Sequence, residues 1–238
     1  MKYAEILGQY RHYKPYQRVF VGFYTTLISP FVTKLCLKLK LIPNVITLCM
    51  IGSGVLGAGF FSLPFLWAKI VGTVLIHLWF VFDCSDGEVA RITKHFSKFG
   101  KEIDYTAHII NHPLFLFSFL LTILQADTGW NPIVLCLVLF GLAVFDSMLR
   151  GYVCFDYIYN LKSEKEDTGS IQELSQLKKI LIFTSNIFIQ LPNFCLIFPI
   201  VYFINAQAAV WYAIVVLAVN ILFIPRLMYK WLAKILNQ

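Results

Sequence analysis

FDCSDGEVAR, residues 82–91, lies at the end of a long apolar run, and the chain continues from it through Ser97 and Gly100 to Asp104 and His108. Acidic residues are scarce here, 13 in 238. A carboxylate beside lipid-facing helices costs several kcal/mol unless it is paired, hydrated or metal-bound, so three of them near one membrane boundary point to chemistry. At ~100° per residue, Asp86, Gly87, Ala90 and Arg91 fall within about a quarter-turn of Asp83, whereas Glu88 points away. Asp104 and His108, four apart, share a face of the next helix. Two facing helices can thus gather three carboxylates and an imidazole around a small polar cavity. Mg²⁺ commonly takes one or two carboxylates plus substrate phosphates, so a metal-phosphate site fits this set. Gly87 and Ala90 leave backbone open to a flat ligand.

At these residues the chain resembles the CDP-alcohol phosphotransferase (CDP-alcohol phosphatidyltransferase) family, whose signature runs D-x-x-D-G-x-x-A-R, eight residues, G-x-x-x-D-x-x-x-D. Asp83, Asp86, Gly87, Ala90, Arg91, Gly100 and Asp104 fill the matching positions, and His108 stands where the family has its last aspartate. The resemblance implies a membrane transferase of phospholipid or related lipid synthesis. It would move a phospho-alcohol or phosphatidyl group from a CDP-linked donor to an alcohol acceptor, one of the two being a lipid, and release CMP. It further implies that Asp83, Asp86 and Asp104 hold two divalent cations, Mg²⁺ or Mn²⁺, and that Gly87, Ala90, Arg91, Ser97 and Gly100 meet the nucleotide. Family members often form homodimers.

The family assigns its last aspartate to metal binding and to taking the proton of the acceptor hydroxyl. Imidazole is a competent proton acceptor near neutral pH and a poorer Mg²⁺ ligand than a carboxylate. His108 is therefore expected to keep the catalytic, proton-accepting role and to add less to the metal site. The alternative is a non-catalytic membrane protein that binds metal and CDP-alcohol without turnover. His112, one turn on and followed by Pro113, reads first as a packing residue and second as another candidate.

Around the motif the chain is 58% hydrophobic and 14% charged, with a mean hydropathy of +0.70. Several runs approach the ~20 residues that cross a bilayer, which describes an all-α integral membrane protein. Six transmembrane helices are expected, at about 43–63, 65–91, 103–124, 132–157, 180–204 and 208–232, with residues 160–179 as a polar loop. Residues 1–42 form a separate segment before the 43–238 transmembrane domain. There Lys2, Arg11, Lys14 and Arg18 alternate with Tyr3, Tyr10, Tyr13 and Tyr16, the pattern of an interfacial amphipathic helix in the headgroup layer. The net charge of +7 belongs to that layer and to the loops, so no nucleic-acid partner is expected.

Of the 20 Lys and Arg residues, only Lys69 falls near the turns after spans one, three and five. The positive-inside rule then puts both termini and the motif on the cytoplasmic side of a cell (inner) membrane or other endomembrane. Pro43-Asn44-Val45-Ile46-Thr47-Leu48 opens the first span, with Asn44 as a helix N-cap. It also resembles the family's P-N-x-I-T-L, whose polar side chains lie beside the nucleotide, so Asn44 and Thr47 carry both a structural and a ligand-contact reading. Arg150, one turn after Asp146, reads either as a snorkelling ion pair or as a cation for the acceptor, and Arg226 is a weaker candidate for the latter. The six cysteines are scattered and read as small packing residues.

Overall fold

The computed structural model describes residues 6, 20–158, 176 and 188–236, and among these every regular element is a helix. They run α1 (Phe20–Lys38), α2 (Pro43–Ser62), α3 (Leu66–Thr93), α4 (Gly100–Leu124), α5 (Pro132–Ile158), α6 (Leu191–Ile204) and α7 (Ala206–Leu236). Five contain stretches long and apolar enough to cross a membrane: Pro43–Ser62, Leu66–Thr93, Gly100–Leu124, Pro132–Tyr152 and Ala206–Tyr229. The helix at the expected fifth span, α6, is a shorter apolar helix of 14 residues. The first part of that expected span lies outside the described residues, as do the polar loop but for Gln176 and the amino-terminal basic and tyrosine-rich residues but for Ile6.

Prolines and glycines decide where the membrane helices start and how closely they pack. Pro43 occupies the first turn of α2, where its missing N–H costs nothing. Ile42, not Asn44, is the N-cap residue, and it makes no side-chain cap. The N-cap expected at Asn44 is thus displaced by the proline before it, which already has helical backbone and leaves Asn44 inside the first turn with its side chain free for another partner. Between α2 and α3 the backbones nearly touch. A Cβ at Gly72 would lie 2.4 Å from the Phe61 nitrogen, and one at Gly57 would lie 3.0 Å from the Ile76 nitrogen. Such small-residue contacts let membrane helices gain dispersion energy that lipid cannot supply.

The polar side chains facing the interior are tied across helices. Lys69 is buried, and its Nζ donates to Phe61 O at 3.2 Å, Thr122 Oγ1 at 3.2 Å and Gln125 Oε1 at 3.0 Å. It thereby fastens the adjoining ends of α2, α3 and α4. Trp79 Nε1 donates to Asn111 Oδ1 at 3.0 Å, and Asn111 Nδ2 donates to Ile51 O at 3.2 Å, joining the same three helices further along. On the other side of α3, Thr25, Ser29 and Thr33 recur every four residues as a buried stripe on α1. Ser29 Oγ and Thr33 Oγ1 each donate to Glu88 at 2.5 Å. Glu88 is fully buried, so these bonds fix the rotation of α3 and with it the direction of the opposite, aspartate-bearing face.

Packing at this density makes a local prediction. Gly72→Ala should destabilise the protein by about 1–3 kcal/mol, because the added methyl meets backbone that cannot step aside. Gly59→Ala, with nothing within 4 Å of the new Cβ, should be neutral or stabilising by about 0.5–1 kcal/mol from helix propensity. Thermal unfolding of the two variants in detergent checks this, and an equal response of both would contradict the close α2–α3 contact.

Candidate active site

The turn at 94–99 folds the motif into two neighbouring cavities. Lys94 ends α3 in the left-handed conformation, with φ 54°, and Gly100 starts α4. A Cβ at Gly100 would come within 2.8 Å of Ser97 Oγ. Glycine there leaves Ser97 Oγ free to donate to Asn44 Oδ1 at 3.0 Å, which ties the turn to the first turn of α2. Thr47, also on α2, donates to Asp86 Oδ2 at 2.6 Å. Gly87 leaves open the space over which the Arg91 guanidinium folds, a Cβ there meeting Nη1 at 3.1 Å.

These residues line the first cavity, of about 410 Å³. Asn44, Thr47, Asp86, Gly87, Ala90, Arg91, Ser97, Gly100 and Asp104 all stand on its wall. All seven positions singled out for a nucleotide are therefore in one place, brought from α2, α3, the turn and α4. The basic residues Lys98 and Lys101 and the aromatic Phe96 are also on this wall. Sequence reasoning passed over them because a basic turn at a membrane surface is ordinary.

The second cavity, of about 500 Å³, shares Asp104 with the first and adds His108, Asp146, Arg150 and the apolar Leu149, Leu191 and Leu227. His108 Nε2 lies 3.2 Å from Asp83 Oδ1 and 3.7 Å from Asp104 Oδ1. Arg150 makes the ion pair expected of it, reaching Asp146 Oδ2 with its Nε at 3.2 Å, and it also lines this cavity. Arg226 is exposed beside Leu227 and is not among the described residues lining either cavity. His112 is buried and hydrogen-bonded rather than merely packed, with Nδ1 3.1 Å from Asp146 Oδ2. Its partner could have been suspected from the unusual sequence Asp146-x-x-x-Arg150 inside an apolar run.

Three of the polar side chains converge closely enough to share one ion. Asp83, Asp104 and His108 can each offer one ligand atom with all three atoms within 4.8 Å of one another. Asp104 Oδ1 is buried and makes no hydrogen bond, which leaves it a strong acceptor with nothing to accept. Two carboxylates and an imidazole suit a divalent cation, the nitrogen being better matched to Mn²⁺ than to Mg²⁺. Asp86 is not one of this group and spends one oxygen on Thr47.

A family model described as CDP-alcohol phosphatidyltransferase matches residues 40–219. The chain belongs to the CDP-alcohol phosphatidyltransferase family. The match takes in α2 to α6 and part of α7, and so covers the described lining of the first cavity and that of the second but for Leu227. The family is a class of transferases for phospho-alcohol groups from CDP-alcohols in lipid synthesis, generally with a divalent metal. No curated protein matches the chain.

For this family member, Mn²⁺ titration followed by electron paramagnetic resonance should show saturable binding. Asp83→Ala and Asp104→Ala should each weaken it by at least about tenfold, the scale on which even outer partners of a metal site act. Unchanged binding in both variants would remove the cation from this cluster.

Proposed function

We propose that the protein transfers a phospho-alcohol or phosphatidyl group from a CDP-linked donor to the hydroxyl of an alcohol acceptor, with CMP as the leaving product and a lipid as one substrate. The observation that carries this reading is the meeting of the two cavities at Asp104. One wall is polar and basic, as a cytidine diphosphate requires, and the other combines His108 with apolar side chains and Arg150. In this reading the membrane domain has six spans with the site and both termini cytoplasmic, and an interfacial helix precedes it.

Each residue has a task that its position supports. Asn44, Thr47 and Ser97 bring polar side chains to the nucleotide wall, and Gly87 and Ala90 give a flat ligand access to the α3 backbone. Arg91 supplies a guanidinium suited to bidentate contact with phosphate oxygens. Asp83 and Asp104, with Asp86 and His108 beside them, would hold the divalent cations, Mg²⁺ or Mn²⁺ and two in number. Such ions supply the positive charge that phosphoryl-type transfer needs. In the second cavity Arg150 orients the acceptor. The acceptor oxygen forms a bond to the phosphorus distal to cytidine, the bond from that phosphorus to the CMP oxygen breaks, and the hydroxyl proton passes to His108 Nε2.

The test is release of CMP by detergent-solubilised protein given Mg²⁺ or Mn²⁺ and a panel of CDP-alcohols and alcohols. Acceptor-dependent release is expected. His108→Ala should lower turnover by at least about 10²-fold with donor affinity kept. Undiminished turnover in that variant would remove its role. Labelled donor that binds while no substrate pair yields CMP would favour the non-catalytic binding protein instead. Arg91→Lys should raise KM for the donor by roughly tenfold or more, since a lysine loses the forked contact to phosphate. An unaltered KM would place the diphosphate elsewhere.

A further inference from the structure

His108 and His112 stand one turn apart on α4, and their rings link the motif to a carboxylate on α5. The contacts run from Asp83 Oδ1 to His108 Nε2 at 3.2 Å, from His108 Nδ1 to His112 Nε2 at 3.3 Å, and from His112 Nδ1 to Asp146 Oδ2 at 3.1 Å. Asp146 Oδ2 also accepts from Arg150 Nε at 3.2 Å. Arg150 Nη2 is 2.8 Å from one nitrogen of the His112 ring and 3.0 Å from the other. A single atom so close to both is over the ring face, where no lone pair points, and so leaves both ring nitrogens to their in-plane partners.

The direction of every bond in this chain follows from its buried end. The His112 side chain is only 1% exposed, so water cannot intervene between its Nδ1 and the Asp146 carboxylate. A lone pair facing that carboxylate would be repelled, so Nδ1 carries the proton and donates. Neutral His112 then has a bare Nε2, which can only accept, and His108 Nδ1 must donate to it. We propose that Asp146 and His112 are positioning residues that keep the proton of His108 on Nδ1, so that its Nε2 lone pair faces Asp83 and Asp104. The reverse set of directions would move the repulsion from the cavity, where a cation or a substrate hydroxyl relieves it, to the buried His112–Asp146 contact, which water does not reach and where the Arg150 guanidinium, already donating to Asp146 Oδ2, lies over the ring face. A proton arriving at Nε2 requires no reorientation of any ring. The relay is thus compatible with His108 as a proton acceptor and with His108 as a metal ligand. Its bearing on turnover rests on the transferase reading.

The experiment is nitrogen NMR of ¹⁵N-histidine-labelled protein in detergent under mildly alkaline conditions, with His108 assigned by the signals lost in His108→Gln. Wild-type His108 should show a protonated Nδ1 and a bare Nε2. Asp146→Leu removes the acceptor for His112 Nδ1, so the His112 proton is no longer held there, and it should leave His108 as a mixture of tautomers. In the same variant kcat for CMP release should fall about 10²–10⁴-fold while KM for the CDP-linked donor stays within about threefold. Asp146→Glu, which keeps the acceptor, should retain the wild-type tautomer. Should Asp146→Leu fail to fold, His112→Phe serves instead and should likewise leave His108 as a mixture of tautomers. A proton on Nε2 in the wild type, or a tautomer indifferent to Asp146→Leu or His112→Phe, overturns the relay. The expected tautomer in a protein that releases no CMP with any substrate pair upholds the relay and sinks the transferase reading.

Discussion

A carboxylate placed between apolar helices has to be given donors, a cation or water, and the helices of this protein are arranged around that demand. Glu88 receives two hydroxyls from α1. Asp146 receives an imidazole and a guanidinium. Asp86 receives one hydroxyl from α2 and turns its remaining capacity to a cavity. Asp83 and Asp104 receive least, since each faces the bare Nε2 of His108, at 3.2 and 3.7 Å, and one Asp104 oxygen is buried and without a hydrogen bond. The gradient from satisfied to unsatisfied acids separates scaffold from site without reference to any motif. It also shows why the acids form one system. Glu88 and Asp86 lie on opposite faces of α3, so the bonds that satisfy the first orient the second.

The motif face was legible because it is local. Helical periodicity alone put Asp83, Asp86, Gly87, Ala90 and Arg91 on one side of α3, and a four-residue interval put Asp104 and His108 on one side of α4. Apolar length located the long helices for the same reason. What periodicity could not show was who faces whom. Glu88 pointed away from the motif face, and nothing near it in the chain named Ser29 and Thr33, 59 and 55 residues earlier, as its donors. Asn44 looked like a cap because it follows a proline, but the proline is itself the first helical residue, and the side chain goes to Ser97 instead. His112 looked like packing since its partner, Asp146, belongs to a different helix. Lys69 stood out as a solitary cation in the charge count. Its satisfaction by a carbonyl, a hydroxyl and an amide oxygen, with no carboxylate among these acceptors, is a tertiary fact.

Histidine at position 108 constrains more than one side chain. A carboxylate there would be acceptor-only and indifferent to a second residue on the far side of the ring. An imidazole has two nitrogens with opposite roles, so it needs something to decide between them. The neighbouring buried pair of His112 and Asp146 supplies that decision, and Trp79, edge-on to the His108 ring with centroids 4.9 Å apart, restricts its tilt. Residue identity at 108 and the composition of the α4–α5 contact are in this sense one feature.

The knot around Lys69 lies at the end of the bundle remote from the motif, where the Gly72 backbone also presses against Phe61. Both contacts sit on the same short stretch of α2 and α3, whereas toward the opposite end Thr47 and Asp86 join the two helices through a side-chain hydrogen bond. The polar cavity thus lies at the end whose tie runs through rotatable side chains, and the end welded backbone to backbone lies away from it.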